Sequence, residues 1–282
     1  MRDAYAPRSV EEALELRLEH PEAIPVAGGT DLMVEVNARR IRPETLLDLS
    51  RVGELREWRR VDGRVFLGAG VTFATIEREL AEFPLLVQAA RSVASVQIRS
   101  RATIGGNLAT ASPAGDSIPV LMAYDADVVV ASARTGMRRT PLREFLVGPK
   151  RTSLAPDELV VGVEWTPVAG PGSFAKVGRR NAMVIAVASA CLQVDHELHG
   201  VRLALGSVGP TVLRATRAEE LAERGDWSDP ATLAEFGRLA AAESCPIDDL
   251  RGTADYRRHV VAVLARRALG QVGEAQAGEA ER

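Results

Sequence analysis

Cysteine is nearly absent: the 282 residues contain two, Cys191 and Cys245. Two thiols cannot frame a disulfide-stapled domain, nor hold an ordinary four-cysteine iron–sulfur cluster, so a reducing compartment is expected. Aromatic residues are scarce at 4%, which leaves few platforms for stacking bases. Neither sign of charge dominates, with 35 Lys+Arg against 38 Asp+Glu and a formal net charge of −3. That balance gives no reason for the chain to bind nucleic acid or an anionic membrane. The longest apolar run, residues 183–192 with Ser189 tolerated, is about half of the ~20 residues a spanning helix needs. The opening Met1-Arg2-Asp3-Ala4-Tyr5 has no apolar core of a secretory signal. The expectation is a cytoplasmic protein with no membrane insertion and no nucleic-acid partner.

Enough apolar sequence is present, 46% of residues, for two ordinary globular domains at roughly 150 residues each. Ser9 followed by Glu12 has capping-box spacing and predicts a helix over residues 9–20. Short apolar runs at 23–27, 45–48, 65–67, 127–132 and 158–165 predict strands. A helix is expected from Thr75, interrupted by Pro84 and continuing over 85–95. Apolar runs at 183–194 and 201–208 and helical patterns at 231–242 and 256–269 follow. Pro167-Val168-Ala169-Gly170-Pro171-Gly172 is the most linker-like segment and sets a boundary near 169. The expected organisation is domains at 1–168 (two subdomains split near 50–60) and 169–270, then a flexible tail at 271–282. Interspersed strands and helices give an α+β or mixed class.

Two glycine pairs carry the chemistry. The first lies in Val26-Ala27-Gly28-Gly29-Thr30-Asp31-Leu32, the second in Ala102-Thr103-Ile104-Gly105-Gly106-Asn107-Leu108-Ala109-Thr110-Ala111-Ser112-Pro113. Glycine permits φ > 0 and lacks a Cβ, so successive N–H groups can turn toward one anion, phosphate above all. Either pair alone is an ordinary turn; together they suit a diphosphate held from two sides. Gly68-Ala69-Gly70-Val71-Thr72 begins like G-x-G-x-x-G, but Phe73 replaces the last glycine, and no P-loop is present.

The surrounding residues resemble a known family. QIRSRATIGGNLATASPAGDSIPVL (97–121) is similar to the central signature of the FAD-binding subunit of molybdenum hydroxylases, the xanthine dehydrogenase and aerobic carbon monoxide dehydrogenase group. VAGGTDL (26–32) resembles that family's first FAD loop, and GPKRTSLAPDELVVGVEWTP (148–167) the segment that closes its flavin domain. FAKVGRRNAMVIAVASA (174–190) and DDLRGTADYRR (248–258) resemble its C-terminal domain.

The resemblance implies an α+β fold, a two-subdomain PCMH-type (vanillyl-alcohol-oxidase-like) FAD domain with a smaller α+β C-terminal domain. It implies a first cofactor loop of Pro25, Val26, Ala27, Gly28, Gly29, Thr30, Asp31 and Leu32. Thr103, Gly106, Asn107, Thr110, Ala111 and Gly115 would line the FAD, with Asp116 toward its flavin side. Val160 would be an apolar contact of the flavin, and Lys176 would reach the flavin edge. A carboxylate is repelled by phosphate, so Asp31 and Asp116 are better suited to ribityl hydroxyls or backbone; a helix N-cap is the structural alternative for Asp31.

The remaining constellations have plainer readings. His196 and His199 have H-x-x-H spacing in a hairpin, not a zinc motif, and no metal site is expected. Cys191 reads as a core thiol. Arg39-Arg40, Arg59-Arg60, Arg138-Arg139 and Arg266-Arg267 read as solvated faces, whereas Arg179-Arg180, beside Lys176, could face the flavin or a partner. No catalytic residue is expected on the chain. The function implied by the resemblance is electron transfer, from a [2Fe-2S] partner subunit through FAD to an external acceptor. A molybdopterin-binding large subunit would perform the hydroxylation, in a dimer of heterotrimers. The alternatives are a stand-alone FAD-dependent oxidoreductase of the same superfamily and a cofactor-free structural protein.

Overall fold

A computed structural model describes residues 3–197 and 200–280, with side chains described through Gln276. The chain forms two compact units. The first comprises residues 1–81, 95–111 and 126–166; the second comprises 82–94, 112–125 and 167–282. The chain therefore enters the second unit twice before the Pro/Gly-rich segment at 167–172.

In the first unit, three short parallel strands are ordered Asp3–Tyr5, Thr45–Asp48, Ile24–Val26. A larger antiparallel sheet runs Trp58–Val61, Arg64–Gly68, Leu159–Trp165, Asp127–Ser132, Gly136–Pro141. Every residue of its middle strand, Leu159–Trp165, is buried. A strand covered on both faces loses the polar alternation of a half-exposed one, which is why LVVGVEW reads as a nearly continuous apolar run. Helices Val10–Glu19 and Ile104–Thr110 pack on this strand. A bulge between Val160 and Gly162 interrupts its register. A Cβ on Gly162 would stand 2.5 Å from the Phe66 ring, so this glycine makes room for that ring.

The second unit is a four-stranded antiparallel sheet, Gly172–Val177, Ala188–Asp195, Gly200–Gly206 and Leu213–Arg214. Helices Thr216–Arg224, Pro230–Glu243 and Ala254–Ala280 supply the rest of its core, with Leu192, Leu203, Leu205, Phe236, Val261 and Leu269 at its centre. The α+β class expected from the sequence is the class observed. No helix among the described residues is long and apolar enough to cross a membrane.

Local signals explain most boundaries, and their failures are instructive. Ser9 caps the first helix, its hydroxyl accepting from the Glu12 N–H at 3.1 Å. The Glu12 carboxylate, however, takes the N–H of Arg8 at 2.7 Å rather than that of Ser9. Pro84 starts a helix instead of interrupting one: Phe73–Glu79 and Pro84–Ser92 are separate, and Pro84 occupies the first turn, where its missing N–H costs nothing. The run at 183–194 becomes a strand only from Ala188. Beyond residue 271 the last helix continues to Ala280, where a frayed tail was expected.

Candidate functional site

The first glycine loop follows the edge strand Ile24–Val26 and leads into the helix Leu32–Asn37. Gly28 packs on the backbone just ahead of the second loop: a Cβ there would lie 2.0 Å from the Arg101 carbonyl oxygen. Gly29 has φ +74, a left-handed conformation natural to glycine. Among the described residues no protein oxygen takes the N–H of Gly28, Gly29 or Thr30. These three N–H groups remain available to an anion.

The second glycine pair has a different role. Gly105 donates to Ala69 O at 2.9 Å, and Gly106 to the Thr103 hydroxyl at 3.1 Å. Those N–H groups are already engaged, so two facing nests of free donors do not form. A Cβ on Gly105 would stand 2.5 Å from that of Ala69. Gly105 thus lets its helix press against the loop 68–73, and Thr72 and Thr103 bridge the two segments. The Gly-Ala-Gly of that loop is packing as well, since Gly68 and Gly70 both close on Leu55 O.

Pro25, Ala27, Thr103, Gly106 and Val160, drawn from three separate stretches of sequence, line one cavity of about 330 Å³ within the first unit. Leu55, Leu154, Pro156 and Leu159 make its walls apolar, and Arg17 and Glu158 are its charged residues. A second cavity of about 290 Å³ shares Ala27, Leu49, Gly70 and Thr103 with the first. It is hydroxyl-rich and cationic, lined by Ser50, Thr72, Thr75, Ser100, Arg56 and Arg101. An apolar chamber adjoining a cationic one suits an amphipathic ligand with flat rings and phosphates. The residues present therefore fit a dinucleotide.

The remaining loop residues are placed around this frame. Val26 ends its strand, and half-buried Leu32 opens the following helix. Asp31 occupies that helix's N-cap position, but its side chain caps nothing; it accepts instead from the Thr110 hydroxyl at 3.4 Å. Asn107 lies on the helix Ile104–Thr110, which ends at Ala111 in a left-handed turn with φ 47. Gly115 and Asp116 belong to the second unit, as does Lys176.

There the structure joins two residues that the sequence left apart. Lys176 Nζ lies 2.5 Å from Asp116 Oδ2 and donates to Ser92 O at 2.9 Å. The Lys176 and Asp116 side chains are 9% and 7% exposed. Burial raises the Asp116 pKa, and the Lys176 charge partly offsets it. Asp116 Oδ1 is buried with no hydrogen-bond partner, leaving one acceptor site open in this pair.

Two residues of this region, Lys150 and Arg17, were not singled out from the sequence. Lys150 donates its backbone N–H to Ala111 O at 3.0 Å and pairs its Nζ with Glu35 Oε1 at 2.9 Å. It thereby ties the end of the second loop to the helix that follows the first. Lys150 and Arg40 hold the Glu35 carboxyl below its usual pKa. Arg17 reaches the apolar cavity from the first helix. Arg17 lies in no motif and reads as a lone charge on an ordinary helix, whereas Lys150 stands in the segment 148–167 without a feature that singles it out.

Other expectations resolve individually. Cys191 is buried in its strand, and burial pushes its thiol pKa up. His196 Nε2 lies 3.0 Å from Gln276 Nε2, and His199 falls outside the described residues. The basic pairs are not uniformly solvated. Arg138 and Arg139 form ion pairs with Glu158 and Glu164, and Arg59 stacks 4.4 Å from the Phe66 ring centre. Arg179 and Arg180 donate to the carbonyls of Leu250 and Met183.

Comparison with known proteins places this geometry. The family described as the FAD binding domain in molybdopterin dehydrogenase matches residues 1–165, and the CO dehydrogenase flavoprotein C-terminal domain matches residues 173–272. The chain is 33% identical over 275 residues to the nicotine 6-hydroxylase medium subunit of Paenarthrobacter nicotinovorans, covering 95% of this chain and 96% of the relative. It superposes on a chain of carbon monoxide dehydrogenase from Hydrogenophaga pseudoflava with a TM-score of 0.88 at 30% identity, covering 97% of each. The corresponding values for quinoline 2-oxidoreductase from Pseudomonas putida 86 are 0.90 and 27%, covering 98% of each. The chain belongs to the molybdopterin-hydroxylase family as its FAD-binding, xanthine/CO dehydrogenase-like medium subunit, with a PCMH-type FAD domain followed by the family's α+β C-terminal domain.

Proposed function

We propose that the chain is the electron-transfer subunit of a cytoplasmic molybdenum hydroxylase. It would receive electrons from a [2Fe-2S] partner subunit and deliver them through FAD to an external acceptor. The partners are that small subunit and a molybdopterin-binding large subunit, assembled as a dimer of heterotrimers. The observation that carries this reading is the meeting of both glycine loops: Gly28 against Arg101, with Ala27, Thr103, Gly106 and Val160 around one cavity.

FAD, when bound, supplies reversible redox chemistry that no side chain here possesses. The chain's own residues hold and orient. The free N–H groups of Gly28, Gly29 and Thr30 receive the diphosphate, and the Thr103 hydroxyl fixes the turn beside it. Apolar walls at Pro25 and Val160 exclude water from the ring they contact. Asp31, through Thr110, holds the two loops in register. Asp116 and Lys176 form the polar contact on the flavin side, where the open Asp116 oxygen accepts a hydrogen bond. Leu32, Val26, Asn107, Ala111 and Gly115 complete the binding surface. None of these roles requires a catalytic acid or base.

The test is an absorption spectrum of the purified chain with the released cofactor identified by mass, followed by metal analysis of whatever co-purifies. Flavin bands, released FAD and stoichiometric molybdenum and iron are expected. A chain that is colourless and takes up no added FAD would sink the proposal. FAD without any molybdenum or iron partner would favour a stand-alone flavoenzyme.

A further inference from the structure

Among the described residues, every exposed large apolar side chain of the second unit stands on one of two neighbouring loops. Met183 and Ile185 lie on the loop after the strand Gly172–Val177; Ile247, Leu250 and Tyr256 lie on the segment 247–256 that leads into the last helix. Their exposures run from 49% for Tyr256 to 95% for Leu250. The loops are tied to each other. Arg179 Nη1 donates to Leu250 O at 3.0 Å. Buried Arg257 donates from Nη1 to Val187 O at 2.9 Å and from Nη2 to Asp249 Oδ1 at 2.5 Å. Asp249 and Gly252 exchange backbone hydrogen bonds at 3.1 and 3.2 Å. Arg180 donates to Met183 O, and Met183 keeps a left-handed φ of 49, a conformation that persists only where its surroundings fix it. The apolar side chains are thus displayed on a fixed platform.

Clustered apolar surface mixed with Met, Tyr and Arg has the composition of a protein interface. Charge indicates what covers it. Arg179 and Arg180 are exposed and donate to carbonyls, and neither has a carboxylate partner among the described residues. The other arginines of the platform are matched, Arg251 and Arg257 by Asp249 and Arg258 by Asp255. Two unmatched positive charges therefore flank the apolar residues and call for carboxylates on the partner. A second copy facing this platform would offer them only Asp248, whose Oδ1 already accepts the Ala254 N–H at 2.5 Å. An anionic lipid surface would repel Asp248, Asp249 and Asp255, which a protein can meet one by one. Position indicates which partner. Lys176, of the proposed flavin-side pair, lies on the strand that enters the platform, and Arg179 follows it within about 11 Å along the chain. We infer that this platform docks the [2Fe-2S] subunit, which meets it with an apolar patch edged by carboxylates. The inference rests on the electron-transfer reading above, in which the subunit that feeds the flavin stands beside it. Large apolar side chains also suit a permanently bound subunit better than a passing acceptor, since lasting interfaces are the more apolar.

The experiment uses the complex captured through a tag on the full chain. With p-benzoylphenylalanine in place of Leu250, irradiation is expected to cross-link the [2Fe-2S] subunit, identified by mass. A product containing the large subunit or a second copy of this chain, or no product from a complex that holds iron, would overturn the inference. Leu250→Asp and Arg179→Glu are expected to lower the iron retained per chain by about tenfold in raised salt, with melting temperatures near that of wild type. Met137→Asp is the control: Met137 is 61% exposed but belongs to the first unit, and iron should stay at the wild-type level. Equal iron in all three variants would overturn the inference. So would capture of the wild-type chain by phosphatidylserine vesicles that Leu250→Asp abolishes. Wild-type chain that brings down neither iron nor molybdenum refutes the electron-transfer reading itself, which is a separate result.

Discussion

Gly28 and Arg101 touch backbone to backbone: a Cβ on Gly28 would stand 2.0 Å from the Arg101 carbonyl oxygen and 3.1 Å from the Ala102 α-carbon. Neither obstacle is a side chain that can swing away. The first cofactor loop is thereby pinned to the strand-like segment that launches the second, and the distance between the loops is set by the absence of one methyl group.

Gly28→Ala is therefore expected to cost about 1–3 kcal/mol, the usual range for overpacking, and to lower flavin content with it. Gly53, whose Cβ would meet nothing within 4 Å, is the control. Gly53→Ala should change the melting temperature little. Equal melting temperatures for wild type and both variants would show that the contact between loops is not tight.

Gly29 and Gly106 separate two ways of losing the cofactor. At φ +74, a valine at position 29 is strained by about 1–3 kcal/mol whatever the cofactor does. Asparagine, which tolerates this conformation, is the informative substitution there. Gly106 carries no such strain, and its Cβ would approach only the Thr103 hydroxyl, at 3.1 Å. Gly106→Val fills cavity space from within a helix. It is expected to abolish FAD retention while the chain melts near the wild-type temperature. Full flavin content in this variant would remove Gly106 from the binding surface.

Much of this was legible because its causes are local. Ser9 announces a helix through a hydroxyl three residues from the N–H it accepts. The strands were visible as apolar runs, and the glycine loops as motifs. What escaped depends on distant partners. Lys150 matters through Glu35, over a hundred positions away, and Asp116 and Lys176 meet across 60 residues. Gly105 resembled an anion nest because sequence gives the N–H count but not the acceptors, and Ala69 had already taken one. The Arg138-Arg139 pair resembled solvated charge because its carboxylates lie more than fifteen residues on, Glu164 two strands away in the sheet and Glu158 just before that strand. Asp31 was placed at a helix start from its position, yet its side chain turned to Thr110 instead.

Lys176→Met should expose the cost of the buried pair. It leaves the Asp116 carboxylate with no cation and one oxygen already unpartnered. Removing one member of a buried pair typically costs about 3–5 kcal/mol at neutral pH. The folded pKa of Asp116 is raised by burial, and losing Lys176 raises it further. A raised carboxyl favours folding most below its unfolded value of about 3.9 and loses that benefit as pH rises. The variant should thus approach wild-type stability as the pH falls from about 7 toward 4. Adding Asp116→Asn to Lys176→Met should recover part of the loss at pH 7. A stability gap that is independent of pH would show that Asp116 is not the group left stranded.

Glu158 and Arg138 predict the opposite acid response in the first unit. Arg138 grips the Glu158 carboxylate with Nε and Nη2, and the Ala155 N–H adds a third donor at 2.8 Å. The Arg138 bonds hold the Glu158 carboxyl below its usual pKa, although burial opposes them. A depressed carboxyl contributes stability above its unfolded value of about 4.3, and that contribution disappears as pH falls through the folded value. Arg138→Met should cost about 1 kcal/mol at neutral pH, since solvent around the exposed part of Arg138 weakens the pair. Its melting temperature should converge on that of wild type in acid, where the carboxyl is protonated in both. Glu158 also lines the apolar cavity, so freeing its charge leaves an unpaired carboxylate in the chamber proposed for the ligand's rings. Arg138→Met should consequently weaken FAD binding at neutral pH, with the loss shrinking as Glu158 is protonated. Unchanged FAD affinity at every pH would show that Glu158 stands clear of the ligand.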